Sequence, residues 1–135
     1  MAIEASRYFW DAGAQRTLTV RTTVDDVEQL LALLRKLAST RQSVDLEAPN
    51  GSVLCVGVGV PDGWVSFGTA EMIARGEIKQ LVPETPNTAG GVVDFFCGGE
   101  PTEIRTSDLV PFEQVLTVAE HFMRTHDVPH EMRWS

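Results

Sequence analysis

Three histidines lie close together in the last fifteen residues of the chain, where imidazoles could bind a metal ion or transfer protons. They are His121, His126 and His130, with Glu120 and Glu131 beside them. Metal ligands on one face of a helix recur three or four residues apart, whereas His121 and His126 are five apart, and no Cys-x-x-Cys pair accompanies them. The spacing therefore favours solvated histidines, and we expect no metal and no cofactor.

Cys97 precedes Gly98-Gly99, and a cysteine beside a glycine turn can act as a nucleophile when a histidine activates it. The sequence around it identifies no such histidine. A small core side chain at the end of a strand explains Cys97 better, and we expect it and Cys55 to be free thiols. A small enzyme that uses Cys97 or the histidines stays open as an alternative, as does a ligand-binding or scaffolding domain.

Carboxylates crowd one predicted hairpin, at Asp94, Glu100 and Glu103. Paired carboxylates can serve acid–base chemistry. No recognisable pocket or further motif accompanies these three, so an exposed acidic patch is the better interpretation.

Alternating apolar and polar residues predict the strands that position these groups. The predicted strands are Ile3 to Trp10, Arg16 to Thr22, Ser43 to Ala48, Val53 to Val60, Trp64 to Gly68, Gly91 to Cys97, Thr102 to Thr106 and His130 to Trp134. The short turns between them, at Pro49-Asn50-Gly51, Pro61-Asp62-Gly63 and Gly98-Gly99, indicate a largely antiparallel sheet. At Gly57 and Gly59 we expect a helix or an aromatic ring to approach a strand closely.

Two segments have an apolar stripe with the period of a helix. The first begins at Thr23 as N-cap and presents Val27, Leu30, Leu31, Leu34 and Leu37. The second opens near Pro111 and presents Phe112, Val115, Leu116, Ala119, Phe122 and Met123. Between them, Thr69 to Gly90 predicts a long loop with a short strand at Ile78 to Val82. We therefore predict an α+β fold, a mostly antiparallel sheet with two amphipathic helices packed on one face, in a single domain over residues 1–135.

The charge of the chain restricts its partners. Eleven Lys and Arg stand against 19 Asp and Glu, a net charge of −8. Such a surface repels nucleic acid and anionic membranes and attracts a basic protein. The first residues do not resemble a signal peptide, and the longest apolar run, Val53 to Val60, is too short to span a bilayer. We expect a cytoplasmic protein that binds neither nucleic acid nor a membrane directly.

The order of several short motifs resembles the Imm1 family of bacterial immunity proteins. The motifs are Cys97-Gly98-Gly99-Glu100-Pro101-Thr102-Glu103-Ile104, then Val110-Pro111 before an amphipathic helix, then Glu131-Met132-Arg133-Trp134. With the leucine-rich first helix, the resemblance covers about two thirds of the chain. Gly98, Gly99, Glu103 and Trp134 occupy positions that recur in the family. The chain departs from the pattern in Thr69 to Gly90, and it has Phe95-Phe96-Cys97 where a tyrosine-rich strand is expected.

This resemblance implies a protein without enzymatic activity that neutralises a bacterial toxin, often a nucleic-acid deaminase. The expected partner is a cognate toxin, basic and acting on nucleic acid, whose active site the immunity protein occludes. Carboxylates would pair there with the Lys and Arg that otherwise hold phosphate. We predict that the interface includes Trp64, Glu71, Glu77, Glu84, Asp94, Glu100 and Glu103.

Overall fold

The computed structural model describes residues 2–135, apart from the side chains of Phe9 and Trp10. Over this range it contains nine strands and three helices. They are β1 (Ile3–Asp11), β2 (Arg16–Val24), α1 (Val27–Leu37), β3 (Gln42–Glu47), β4 (Val53–Val58), β5 (Asp62–Gly68), α2 (Ala70–Ala74), β6 (Lys79–Gln80), β7 (Val92–Cys97), β8 (Glu100–Arg105), β9 (Val110–Pro111) and α3 (Phe112–Thr125). The predicted α+β class is confirmed.

Six strands form the main sheet in the order β2-β1-β3-β4-β5-β6, and each neighbouring pair is antiparallel. The β7–β8 hairpin joins this sheet where β3 begins, through a single parallel pairing of Gln42 with Phe96. β8 pairs with β7 on the outer side, and β9 pairs with the start of β5. The hairpin is therefore attached to one end of the sheet by little backbone pairing.

Both long helices pack on one face of the sheet, as predicted. α1 buries Leu30, Leu34 and Leu37, and α3 buries six side chains against β4 and β5, with Phe122 edge-on to Phe67 of β5. Because side chains alternate along a strand, every second residue of β1, β3, β4 and β5 points to the opposite face. We call this side, which neither long helix covers, the open face.

The first helix begins later than predicted. Its N-cap is Asp26, whose carboxylate accepts a hydrogen bond from the Gln29 N–H at 2.8 Å, so the assignment of the cap to Thr23 was wrong. Thr23 lies in β2 and donates its hydroxyl to Glu4 Oε1 at 2.8 Å. Strand β2 continues through the buried Val24 because that side chain completes the core, which delays the start of the helix.

The segment from Thr69 to Gly90 contains more regular structure than predicted. Helix α2 was not predicted, and Thr69 caps it by accepting the Met72 N–H. The short strand predicted at Ile78 to Val82 is confirmed, as β6 with the buried Leu81. The predicted last strand from His130 to Trp134 was wrong over residues 130–132, where the chain turns after α3. Its end does pair with the sheet: Trp134 bridges Leu81, and backbone hydrogen bonds join Val82 to Arg133 and Gln80 to Ser135. No helix in the described part of the chain is long and apolar enough to cross a membrane.

Candidate partner-binding surface

The β7–β8 hairpin carries three of the carboxylates predicted at the interface. Asp94 and Glu103 are directly opposite each other in its register, so their side chains lie on one face. Glu100 is opposite Cys97 and lies on the other face. All three carboxylates are exposed, as expected of an acidic patch, but only Asp94 and Glu103 share a side of the hairpin.

Glu71 and Glu77 lie at the far end of the sheet from this hairpin. Glu71 lies in α2 and Glu77 shortly after it. Helix α2 abuts Gly51 in the β3–β4 turn, whereas the hairpin joins the start of β3, about 16 Å away along the strand. Glu77 forms an ion pair with Arg75 at 3.2 Å, and Glu84 is exposed in the segment after β6. The structure therefore separates Glu71 and Glu77 from the hairpin carboxylates.

Trp64 is half-buried beneath the hairpin. The fully buried ring of Phe95 meets its indole edge-on, with 6.3 Å between the centroids. A Cβ at Gly57 would overlap the indole, and a Cβ at Gly59 would lie 3.0 Å from the Phe95 ring. The prediction that an aromatic ring approaches these two glycines is confirmed, and the position of Trp64 makes it a support for the hairpin.

Two exposed apolar side chains border Asp94. Phe96 is 50% exposed and Val60 is 57% exposed. With Asp94 and the residues of the turn 38–41 they line a surface cavity of about 320 Å³. The sequence prediction missed Phe96 and Val60, although strict alternation in β7 places Phe95 and Phe96 on opposite faces.

A second acidic surface, also missed, lies on the open face of the sheet. Glu4, Asp45 and Glu47 line a cavity of about 370 Å³, together with Tyr8 and Arg21. The signal was present in the alternation of β1 and β3, which places these polar side chains opposite the core residues.

A cavity of about 630 Å³ lies between the start of α1 and the end of α3. It is lined by Asp25, Asp26, Val27, Glu28, Met123 and Arg124. Negative side chains at a helix start are favoured by the helix dipole, and Asp26 already caps α1. Folding therefore accounts for these carboxylates.

The two cysteines are free and half-buried. Cys55 lies on the open face, since its neighbours Leu54 and Val56 are in the core, and Cys97 is near it. Burial raises the pKa of the Cys55 thiol well above its usual range, and the charge and hydrogen bonding of Asp45 raise it further, with a smaller effect of the nearby Cys97. A raised pKa disfavours the reactive thiolate. The helix that carries His121 and His126 packs on the opposite face of the sheet, so these histidines are not placed to activate Cys97.

The histidines occupy separate environments around the end of α3. His126 ends the helix with φ of +58°, and its ring packs against Phe122. His130 Nε2 lies 2.9 Å from Asp127 Oδ2. Desolvation raises the pKa of Asp127, but the hydrogen bonds with His130 and the Val128 N–H, together with the charges of His130 and Lys79, outweigh it and the pKa is lowered. Among the described residues no group of three His, Cys, Asp or Glu side chains could hold a metal ion.

Folding explains three of the four residues that the resemblance placed at recurrent positions. Gly98 and Gly99 have φ of +62° and +82° in the hairpin turn, a conformation that favours glycine. The Trp134 indole donates to the Pro129 carbonyl at 3.0 Å. Glu103 is exposed and has neither an ion pair nor a side-chain hydrogen bond within the part of the chain that the structure describes. It is thus the one of the four whose role is not explained by the fold.

A small α+β module with unpaired surface carboxylates beside exposed apolar side chains has the features of a protein-binding domain. The chain matches the family model described as "Immunity protein Imm1" over residues 15–135, and it belongs to this family of immunity proteins. The match includes the segment from Thr69 to Gly90 that the motifs left unmatched. No curated protein matches the chain.

Proposed function

We propose that this Imm1 protein binds a cognate bacterial toxin of the nucleic-acid deaminase class and neutralises it by covering its active site. The main observation is the exposed, unpaired pair Asp94 and Glu103 on a chain with a net charge of −8. A cleft that acts on nucleic acid holds phosphate with Lys and Arg. The carboxylates would bind these cations in place of phosphate, and the opposite charges would speed association. The protein would act in the cytoplasm, without catalytic activity of its own.

The proposed interface has two parts. Asp94, Glu100 and Glu103 form the hairpin part, with Trp64 as its support, and Glu71 and Glu77 form the part at α2. Glu84, exposed in the segment after β6, would be a further contact. A partner that contacts both would span about 16 Å of the sheet, which is within the footprint of an ordinary protein interface of roughly 800 Å² per partner. The two parts can therefore belong to one interface.

The proposal is tested with the toxin domain encoded by the reading frame next to the gene of this chain, which we call the neighbouring toxin domain. A deaminase is expected to carry His-x-Glu followed by Pro-Cys-x-x-Cys. Its deamination of a synthetic oligonucleotide is measured while the purified Imm1 protein is titrated in. We expect activity to fall in proportion and to disappear at a one-to-one ratio, and co-expression to protect the cells.

Occlusion of the active site predicts a further result in the same assay. Because nucleic acid and the Imm1 protein would compete for one cleft, more oligonucleotide should raise the concentration of Imm1 protein needed for inhibition. Inhibition that is independent of oligonucleotide would contradict occlusion. A toxin that the Imm1 protein inhibits but that does not deaminate would contradict the assignment to deaminases, and a toxin that keeps full activity would overturn the proposed function.

A further inference from the structure

The outer face of the β7–β8 hairpin has features that folding does not require. Val92, Asp94 and Phe96 of β7 alternate onto this face, with Glu103 of β8 opposite Asp94, and Val60 lies beside them. We call these five residues the hairpin surface. Val60, Val92 and Phe96 are each at least half exposed. A phenylalanine left half in water beside two exposed valines forms an apolar patch of the kind that contacts another molecule.

The carboxylates of the hairpin surface repel each other. Like charges directly opposite on neighbouring strands destabilise the pair, so Asp94 and Glu103 lower the stability of the free hairpin. Arg105, two residues after Glu103, forms an ion pair with Asp108, with 3.1 Å between Nε and Oδ2. Over residues 2–135 as described, neither Asp94 nor Glu103 has a salt bridge. A cation from another molecule would remove this repulsion.

The cavity beside the carboxylates is held in place by the backbone. The Phe96 N–H donates to the Arg41 carbonyl at 2.7 Å, which fixes β7 against the turn that follows α1. The cavity of about 320 Å³ has Asp94 and Phe96 on this side and Arg41 on the other. It is therefore preformed, and Asp94, on the hairpin side, is the one acidic residue among the described residues of its lining.

Arginine fits these groups better than lysine. Its planar guanidinium donates to two carboxylates at once and stacks on aromatic rings, whereas the lysine ammonium is a compact charge. A second copy of this chain is a poor occupant, because a symmetric dimer through the hairpin surface would bring two pairs of carboxylates together.

We propose that the hairpin surface is the anchor of the toxin interface and receives one arginine of the toxin. The guanidinium lies between Asp94 and Glu103, and its aliphatic stem and neighbouring apolar groups of the toxin contact Phe96 and Val60. This inference rests on the proposed function and specifies which part of the interface determines the lifetime of the complex. The carboxylates beside α2 would then mainly affect the rate of association.

The first experiment measures binding of the neighbouring toxin domain to Glu103→Lys and Phe96→Ala by surface plasmon resonance, after circular dichroism has shown that each variant folds. Glu131→Lys is the matched control, since it makes the same charge change at an exposed carboxylate outside the proposed interface. We expect the dissociation constant to rise about 30-fold or more for the two hairpin variants, mostly through faster dissociation, as for the central residues of other interfaces. Glu131→Lys should stay within about threefold of the parent.

The outcomes separate this inference from the proposed function. If the parent binds and protects while both hairpin variants keep its dissociation rate, the hairpin surface is not the anchor, and the proposed function stands. If the parent itself does not bind, both fail. Sedimentation of the protein alone should show a monomer, and self-association that Phe96→Ala abolishes would mean that the occupant is a second copy.

Two further measurements test the role of charge. Asp94→Asn should unfold at a higher urea concentration than the parent, because repulsion is relieved, and yet bind the toxin more weakly. A lower unfolding midpoint would contradict the argument. Glu103→Arg should regain binding to one toxin variant in a series where each surface arginine is replaced by glutamate. Failure of the whole series would overturn the pairing with arginine.

Discussion

The Phe95 ring meets the Trp64 indole at an interplanar angle of 74°, and this contact joins the β7–β8 hairpin to β5. Backbone pairing alone attaches the hairpin weakly, through Gln42 opposite Phe96 and the bond from Phe96 to Arg41. The hairpin surface therefore depends on the packing of Phe95 beneath it, whereas Phe96 is exposed on the surface itself.

We predict that Phe95→Ala destabilises the protein by about 3–5 kcal/mol, because it removes a fully buried ring from its contacts with Trp64 and Gly59. Urea unfolding measures the loss, and hydrogen exchange should show the β7–β8 amides among the first to open. Phe96→Ala, one residue further on the opposite face, should cost about 1 kcal/mol or less. Equal losses for the two would mean that the hairpin does not pack through Phe95.

Gly57→Ala should lower the free energy of unfolding by about 1–3 kcal/mol, since a methyl group there would overlap the Trp64 indole and force it to move. The near-ultraviolet circular dichroism spectrum should change as the indole shifts. Gly13→Ala is the control: its Cβ would meet only Asp11 Oδ1 at an ordinary 3.4 Å, and its effect should be within about 0.5 kcal/mol. A neutral Gly57→Ala would show that the indole is free to shift.

Much of the fold could be predicted from sequence because local patterns fix it. The apolar stripes of the two long helices and the alternation of β3, β4 and β5 are visible without knowing what packs against them. The start of α1 could not be predicted in this way, because Thr23 and Asp26 are both good N-caps. Only the burial of Val24 in the sheet decides between them. Pairing of the chain end with Leu81 likewise depends on distant contacts.

Replacing Asp26 by alanine tests the observed start of α1. The carboxylate accepts the Gln29 N–H, and its loss should cost about 0.5–2 kcal/mol. Thr23→Ala removes only an exposed hydroxyl bond to Glu4, and we expect it to cost about 0.5 kcal/mol or less. Thermal unfolding by circular dichroism compares the two variants, and a larger loss of stability for Thr23→Ala than for Asp26→Ala would mean that Thr23 is the N-cap.

The surface was harder to predict than the core. The exposure of Asp94 and Glu103 follows from their residue type. Which carboxylates share a face depends on the register of β7 with β8. The separation of the hairpin carboxylates from Glu71 depends on the topology of the sheet. Phe96 resembles a core residue in the sequence. Only the burial of its neighbour Phe95, on the opposite face, identifies it as exposed.

The environment of Cys55 predicts a loss of stability at alkaline pH. Burial, aided by Asp45, raises the pKa of this thiol in the folded protein, whereas in the unfolded chain the thiol ionises with a pKa of about 8.5. Its contribution to stability is therefore fully present below about pH 8 and is lost as the pH rises, because the unfolded state then releases a proton that the folded state retains.

The stability difference between the parent and Cys55→Ala, measured by urea unfolding under reducing conditions, should thus decrease between about pH 8 and pH 10. The other titrating groups contribute equally to the stability of both proteins, so their contributions cancel in this difference. Iodoacetamide at pH 8 should also modify Cys97 before Cys55, as mass spectrometry of tryptic peptides would show, because the raised pKa leaves less Cys55 thiolate. A stability difference that is constant over this pH range, with Cys55 modified first, would mean that the thiol is neither desolvated nor opposed by Asp45.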